Sequence, residues 1–552
     1  MTEAASLVVD ALEEYGVQRV FGNPGTTELP LMNAIPESDL DYTLCLHEDV
    51  AVGAAAGYST TMRYHDEMPL GFVNLHVAPG MAHGLGNLHG AYYSGCPLVV
   101  TAGTHSRDFE HEEPILKGDT VKMTEDYTKW STEVRHPDAV ADVIRRAVRT
   151  ALSPPTGPVF VSLPMDVLRE EVDDGVRPLG DVPRPGAPPD DAVEDAADVL
   201  AEASQPVLVL GDEVARSDAV DDAVALAEAS GARVHMEMFA GEASYPTPHP
   251  QWVSFLPPKG GLSAMLLSVD CVVFAGCSTN TTLWKEDVDV VGEGTTCVEL
   301  SADAGEIGKN YSSDVALQGD VGLAMSRLAD AVESRVDDAT LESRLDAVET
   351  AKKTVEAQIT SMDPVDDQGD MPSKYDVVDA MHDVAPDAFV ADEGVTAKFA
   401  LLTRWTFDEG RYLGNKGGGL GYGLPAAVGA AVALRDAGVD REVMAFVGDG
   451  SYFYYPQSIY TAVREDVDLS VVVPNNRGYR ILKDNTVEIF GGEEDDYTFV
   501  GMDLPAVSVE GSARAYGAEA TTVTERDGLR GALRSTVESD GVGVVDVHVP
   551  DV

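Results

Sequence analysis

Short, unbroken apolar runs recur along this 552-residue chain and alternate with longer stretches whose apolar positions repeat at helical spacing. Val443–Val447 is one such run and residues 467–473 another. Both are too short for a helix and close on glycine or asparagine, so they read as buried strands of a parallel sheet. Residues 20–22, 70–75, 207–210 and 271–276 read the same way, and 44–46 is a short strand running into a helix rich in alanine and glycine. Strand runs alternating with amphipathic helices predict parallel α/β units throughout. Two stretches break the pattern: 173–191 is rich in Asp, Pro and Gly, and 361–372 is similar, preceded by a helical stretch over about 338–359. They divide the chain into 1–172, 192–335 and 373–552. The expected fold class is α/β, with three doubly wound parallel-sheet domains.

Charge alters the picture of the surface and leaves the fold class alone. Against 38 basic side chains stand 94 acidic ones, a net charge of -56, while the apolar share of 44% is ordinary for a globular protein. The excess acid therefore lies on the surface. Such a surface repels nucleic acid and anionic membranes, so neither is expected as a partner, and it destabilises the compact state at low ionic strength. It resembles the proteins of salt-accumulating halophiles and predicts activity and assembly that need high salt. Cys45, Cys96, Cys271, Cys277 and Cys297 sit in or beside apolar runs, as buried reduced thiols of a cytoplasmic protein do. With no signal peptide and no stretch of about 20 apolar residues, a cytoplasmic location is expected.

Candidate chemistry concentrates at strand ends. Gly448-Asp449-Gly450-Ser451 follows Val443–Val447, and Asn475-Asn476 closes the run 467–473. A carboxylate and an amide oxygen thus fall where open α/β sheets bind ligands. Both are hard oxygen ligands suited to an octahedral cation with positions left for two phosphate oxygens, and the glycines let backbone amides approach a phosphate. Asp-Gly and Asn-Asn are also ordinary turn pairs, but 27 positions apart and each behind a strand they favour a diphosphate and magnesium cradle. The arrangement resembles the thiamin diphosphate (ThDP) motif of the 2-oxo acid decarboxylase and acetolactate synthase superfamily. That resemblance implies three domains of the ThDP-enzyme type, in the order pyrimidine-binding, central and diphosphate-binding.

The resemblance covers nearly the whole chain. Glu48, at the junction of strand and Ala/Gly-rich helix, stands where the family has its catalytic glutamate, which hydrogen-bonds the pyrimidine N1′. Residues 20–30, with Pro24, Gly25 and Thr26, are most similar to benzoylformate decarboxylase, in which a serine occupies the place of Thr26. A threonine hydroxyl still donates to a substrate carboxylate, but its methyl group takes up room and stiffens χ1. His76 coincides with the family's active-site histidine, implying proton transfer or substrate orientation. Within 415–427 the resemblance has Leu420 wedged beneath the cofactor rings and the carbonyl of Gly418 facing its amino group; a Gly-rich turn opening a packed helix accounts for the same segment. Thr396 is the implied diphosphate contact, together with Gly448, Gly450 and Ser451. Asp449, Asn476 and the carbonyl of Gly478 are the implied metal ligands, and Tyr479 and Ile481 border the cofactor.

Other parts of the chain depart from the pattern. Residues 207–213 end in Gly without a Gly-x-Gly-x-x-Gly, and the glycine pattern and arginine that accompany FAD in acetolactate synthases are not evident, so FAD is not expected. Benzoylformate decarboxylase takes a second active-site histidine after a strand comparable to 271–276, yet residues 277–284 contain none. Seven of the twelve histidines lie in the first 111 residues, but no His-x3-His pair encloses a Glu and no Cys-x2-Cys clip occurs, so spacing argues against zinc. Arg480 and Lys483 read as solvated helix charges, with a hold on an anionic substrate tail as the other reading. The activity implied is ThDP- and Mg2+-dependent, non-oxidative decarboxylation of a 2-oxo acid through a C2 carbanion and an enamine. An acetolactate synthase-like carboligase, a catalytically idle ThDP-binding subunit and a flavin-linked oxidoreductase are the alternatives. In this family the glutamate and the diphosphate site meet across a subunit interface, which implies a homodimer or homotetramer.

Overall fold

The computed structural model of the chain describes residues 2–65, 68–173, 175–362, 369–504 and 507–551. Of the two breaks in the sequence pattern, residue 174 of the first and 363–368 of the second lie outside the described residues. The chain forms two compact units. One joins Met1–Pro183, Gln368–Ala400 and Asn415–Val552, and the other joins Arg184–Asp367 and Leu401–Gly414.

The first unit holds two parallel sheets. Its N-terminal sheet pairs strands in the order Asp41–Leu44, Arg19–Gly22, Gly71–Leu75, Leu98–Thr104, Val159–Pro164 and Trp130–Glu133. Every residue of Leu98–Thr104 and Val159–Pro164 is buried, as a strand covered on both faces must be, which is why these strands are largely apolar and show no in-and-out alternation. From Arg19–Gly22 the chain goes first to the neighbour on one side, Asp41–Leu44, and then to the neighbour on the other, Gly71–Leu75. That reversal opens a crevice at the carboxyl ends of Arg19–Gly22 and Gly71–Leu75. Pro24, Gly25, Thr26 and His76 follow those two ends.

The C-terminal sheet repeats the device. Within this unit its order is Phe389–Glu393, Val443–Val447, Leu469–Asn475, Val542–His548 and Glu519–Val523, all parallel. Val443–Val447 has the bounds its apolar run predicts. The run 467–473 becomes the strand Leu469–Asn475, because pairing with Val542–His548 carries the ladder through Pro474 to Asn475. Residues 394–397 and Gly448-Asp449-Gly450 leave neighbouring strands at their carboxyl ends.

Helices Glu48–Met62 and Gly423–Asp436 pack against each other between these sheets, and both are buried over most of their length. A Cβ added at Gly57 would lie 2.0 Å from the carbonyl oxygen of Ala426, and one at Gly429 1.8 Å from that of Ala54. The two backbones touch, so the small residues of these helices have a packing reason of their own. Arg19 adds a polar clasp. Only 4% exposed, its guanidinium pairs with Asp41 on the neighbouring strand, with Asp436 at the end of the second helix and with Glu465.

The second unit is built on one six-stranded parallel sheet, in the order Trp252–Phe255, Arg233–Met236, Pro206–Leu210, Cys271–Ala275, Thr296–Ser301 and Val315–Gln318. Buried Glu237, just past Arg233–Met236, accepts from the amides of Asp212, Ser278 and Thr279 and from the Thr279 hydroxyl. It thereby pins the start of 277–284 to the strand ends. Helix Asp338–Met362 extends the helical stretch read from the sequence. All five cysteines are buried thiols outside any disulfide. Among the described residues no helix is long and apolar enough to cross a membrane.

Candidate active site

Past Gly25 the 3-10 turn Thr26–Glu28 sends its first side chain outward and its last inward: Thr26 is exposed and Glu28 fully buried. Glu28 Oε2 accepts from the Gly25 amide at 3.0 Å and from His76 Nδ1–H at 2.7 Å. Glu28 Oε1 accepts from the Gly103 amide at 2.9 Å and from the Thr27 hydroxyl at 2.6 Å. Four donors compensate the buried charge. With its proton fixed on Nδ1, His76 presents Nε2 as a base. Gly25 is required there, since a Cβ would lie 2.1 Å from His76 Nδ1.

Glu48 opens the helix Glu48–Met62, whose N-cap is His47: Nδ1 of that ring accepts from the Asp49 amide at 3.1 Å. Glu48 Oε2 accepts from His83 Nδ1–H at 3.2 Å. A Cβ at Gly80 would lie 3.1 Å from Glu48 Oε1 and 3.4 Å from His76 Cβ, so the fold brings Glu48 and His76 to either side of one glycine. Behind Glu48, Asp49 accepts from the Asn87 amide at 2.8 Å and the Tyr455 hydroxyl at 2.6 Å. Burial pushes the Asp49 carboxyl up to about 6.

The C-terminal strand ends carry a second cluster. Asp449 is buried, and desolvation pushes its carboxyl up to about 6 against the pull of the Gly450 and Gly478 amides. Its Oδ2 has no hydrogen-bond partner. Asn476 spends its amide N–H on Asp551 Oδ1 at 2.8 Å, leaving its own oxygen as an acceptor. The Tyr479 ring lies so close over Gly450 that a Cβ there would meet Cε1 at 2.6 Å. Glu393 ties the neighbouring loops together: it accepts from the amides of Gly421 and Gly423, each at 2.7 Å, and from the Asn415 side chain at 3.1 Å. Its backbone carbonyl accepts from Gly448 N–H and Ser451 Oγ–H. Burial pushes its carboxyl up to about 7. Within the same cluster Gly418 takes a left-handed φ of +72°, Leu420 is half-buried, and Val395, beside Thr396, holds φ +48°, a strained conformation for a β-branched residue.

Three family profiles match the chain in order. They are thiamine pyrophosphate enzyme, N-terminal TPP binding domain, over residues 2–127; the central domain of the same enzymes over 193–328; and their C-terminal TPP binding domain over 394–547. Benzoylformate decarboxylase of Pseudomonas aeruginosa is 30% identical over 99% of both chains. The chain belongs to the thiamin diphosphate-dependent enzymes. Within that family it is also 26% identical to the acetolactate synthase large subunit of Parasynechococcus marenigrum, over 99% of this chain and 87% of that one. Among solved structures, the ThDP-dependent 4-hydroxybenzoylformate decarboxylase of Rhodococcus jostii superposes with a TM-score of 0.86 at 28% identity, covering 100% of this chain and 99% of that one.

The residues at hand fit a ThDP cofactor with a hard cation. A buried carboxylate oxygen without a partner on one strand end, with an amide oxygen left as an acceptor on the neighbouring strand end, is a donor set suited to a hard cation. The sequence-expected residues fall into two groups: Thr26, Glu48 and His76 around Gly25 and Gly80, and Thr396, Gly418, Leu420, Asp449, Asn476 and Tyr479 at and beside the C-terminal strand ends. One expectation is corrected. Arg480 and Lys483 are not solvated charges, because Lys483 is 8% exposed and pairs with Asp503 and Asp551, while Arg480 pairs with Asp484 and Glu494. Three residues escaped the sequence reading. Glu28 stands three positions after Gly25, and its carboxylate reaches back to the Gly25 amide, the half of a capping box that needs no side chain on the first residue. His83 is seven residues after His76, two helical turns along one face. Glu393, three positions before Thr396, is the third, and it ends a strand with nothing in its local spacing to mark it. The fold also brings one potential ligand atom each of the adjacent His47 and Glu48 and of His83, from another helix, to within 4.8 Å of one another.

Proposed function

We propose that this chain is a ThDP- and Mg2+-dependent decarboxylase that converts a 2-oxo acid into CO2 and an aldehyde, in the manner of benzoylformate decarboxylase. The observation that carries this reading is the partnerless, buried Oδ2 of Asp449 among the glycines of one strand end, with the amide oxygen of Asn476 left as an acceptor at the end of the neighbouring strand. Asp449, Asn476 and the carbonyl of Gly478 would hold the cation. Gly448, Gly450, Ser451 and Thr396 would take the diphosphate, and Gly418, Leu420, Tyr479, Ile481, Pro24 and Gly25 would border the rings.

Bound ThDP supplies a nucleophilic carbon and a sink for the electron pair released by the departing carboxylate. The chain's own side chains handle protons and position. Glu48 holds and returns a proton at the pyrimidine N1′. The exposed Thr26 hydroxyl donates to the substrate carboxylate. His76, its Nδ1–H committed to Glu28, offers Nε2 to hand a proton back to the carbon that loses CO2. The half-buried Ile481 and the more exposed Leu482 keep that neighbourhood poor in water, which favours loss of a charged carboxylate.

Several coarser expectations belong to the same reading: domains of 1–172, 192–335 and 373–552, no flavin, a cytoplasmic setting, and a homodimer or homotetramer in which Glu48 of one subunit serves the cradle of another. Exposed apolar side chains on and after helix Arg480–Phe490, among them Ile489, Phe490 and Val500, support a further protein contact there. A second reading, acetolactate synthase-like carboligation, is favoured by the lack of histidine in 277–284: with fewer groups to return a proton, a second carbonyl compound can capture the acyl carbon.

The test is CO2 release from a panel of aliphatic and aromatic 2-oxo acids, with ThDP and Mg2+ in molar KCl and products identified by mass. Aldehyde from one acid is the expected result. A 2-hydroxy ketone would move the assignment to the carboligase, and silence across the panel with ThDP bound would overturn both.

A further inference from the structure

Glu48 is the carboxylate on which the proposed reaction depends, and its surroundings are sparse. Among the described residues its single side-chain hydrogen-bond donor is His83, at 3.2 Å, on the last residue of the helix that His76 caps. The groups facing this pair come from three segments. His47, on Glu48's own element, has Nδ1 occupied by the Asp49 amide and its ring centroid 5.3 Å from that of His83. Burial holds His47 below the usual histidine range, with Glu48 opposing and His83 adding to the effect. Asp49 is committed to Tyr455 and Asn87, and the Tyr455 ring packs tilted against His47 with centroids 5.0 Å apart. His76, across Gly80, is committed to Glu28. No lysine or arginine among the described residues bonds to any of these groups. Among the described residues of its own chain, Glu48 therefore has one partner to lean on.

We infer that His83 is a positioning residue for the cofactor-activating carboxylate: its Nδ1–H holds Oε2 of Glu48, leaves Oε1 to share a proton with the pyrimidine N1′, and stabilises the carboxylate when that proton is given up. The inference rests on the reading of Glu48 given above. The proton balance is simple. Glu48 passes one proton to N1′ and takes it back later in the cycle, and His83 donates a hydrogen bond throughout without losing its own. Without that donor the carboxylate is worse solvated, Glu48 keeps its proton, and the cofactor is activated more slowly.

The measurement is hydrogen–deuterium exchange at the thiazolium C2 of bound ThDP, read by acid quench and NMR on the holoenzyme with no substrate present. His83→Ala should slow exchange about ten-fold, the worth of one hydrogen bond to a charged group, while calorimetric ThDP affinity stays within about two-fold. His83→Asn, whose amide nitrogen sits where Nδ1 does, should recover most of the rate. Exchange at the wild-type rate in the Ala variant, or an Asn variant as slow as the Ala variant, overturns the inference. If the Ala variant does not fold, His83→Gln, whose amide lies beyond that position, replaces it with the same expectation. Glu48→Gln separates the two levels of argument. Wild-type exchange in that variant would sink the reading of Glu48 itself, whereas lost exchange there with an unaffected His83→Ala would sink only the role of His83.

Discussion

A carboxylate with no exposure stays charged only where its lone pairs are met, and Glu28 is met four times, by two backbone amides, the Thr27 hydroxyl and His76. The same bonds decide which nitrogen of His76 carries the proton. Glu28→Gln replaces one acceptor oxygen with an amide that opposes N–H donors, costing about 1–3 kcal/mol of stability, and it removes the charge that fixes the imidazole tautomer. If His76 moves the substrate's proton, turnover of the folded variant should fall roughly 10²- to 10³-fold while ThDP affinity holds. Steady-state kinetics beside calorimetric binding decide the matter. A folded Glu28→Gln enzyme with wild-type turnover would show that His76 orients substrate at most.

At the scale of elements, two glycines in helices make opposite demands. Gly429 lies where a Cβ would meet the Ala54 carbonyl oxygen at 1.8 Å, whereas a Cβ at Gly531, in helix Arg526–Val537, meets nothing within 4 Å. Alanine gains about 0.5–1 kcal/mol of helix propensity at either site. At Gly429 the overlap is with rigid backbone and should cost about 3 kcal/mol, so overpacking wins and Gly429→Ala should lower the melting temperature. Gly531→Ala should raise it. Thermal unfolding of both variants checks the pair, and equal shifts would mean that the helix contact is looser than described. The contrast also marks what a sequence can disclose. Val443–Val447 was legible to the residue because a strand buried on both faces favours apolar side chains and this one has no other kind. The end of Leu469–Asn475 was not, because Pro474 and Asn475 are held in the ladder by a strand some seventy residues away. Site residues divide the same way. Asp449 and Asn476 were visible because each sits directly behind an apolar run. Glu28 and His83 were not, and Lys483 was read as solvated, because their partners His76, Glu48 and Asp551 come from elements that local spacing cannot bring together.

For the whole molecule the governing quantity is a net charge of -56. Repulsion among surface carboxylates is long-ranged in dilute buffer and is screened within about 3 Å at 1 M salt. Part of the acidity, however, is buried and answers to a different force. Asp49 and Glu393, 3% and 4% exposed, have carboxyls pushed up to about 6 and about 7, with burial the leading cause in each. The sign follows from those directions. A carboxyl raised above its unfolded value holds a proton that the unfolded chain has already released, so its contribution is full below the ordinary carboxyl range and is lost as pH rises through about 6 and about 7. Between pH 6 and pH 8 these two groups should together cost the apo protein about 1–2 kcal/mol. Salt tells the two forces apart. Raising KCl from 0.1 M to 2 M should lift the melting temperature at pH 8 by at least about 5 °C by screening the surface. The pH step itself should survive in 2 M KCl, because ions do not screen a desolvation penalty. Glu393→Gln, which cannot ionise, should flatten the step. A step that vanishes in high salt would assign it to the surface charge, and a melting temperature indifferent to KCl would remove the ground for reading the acidic surface as an adaptation to salt.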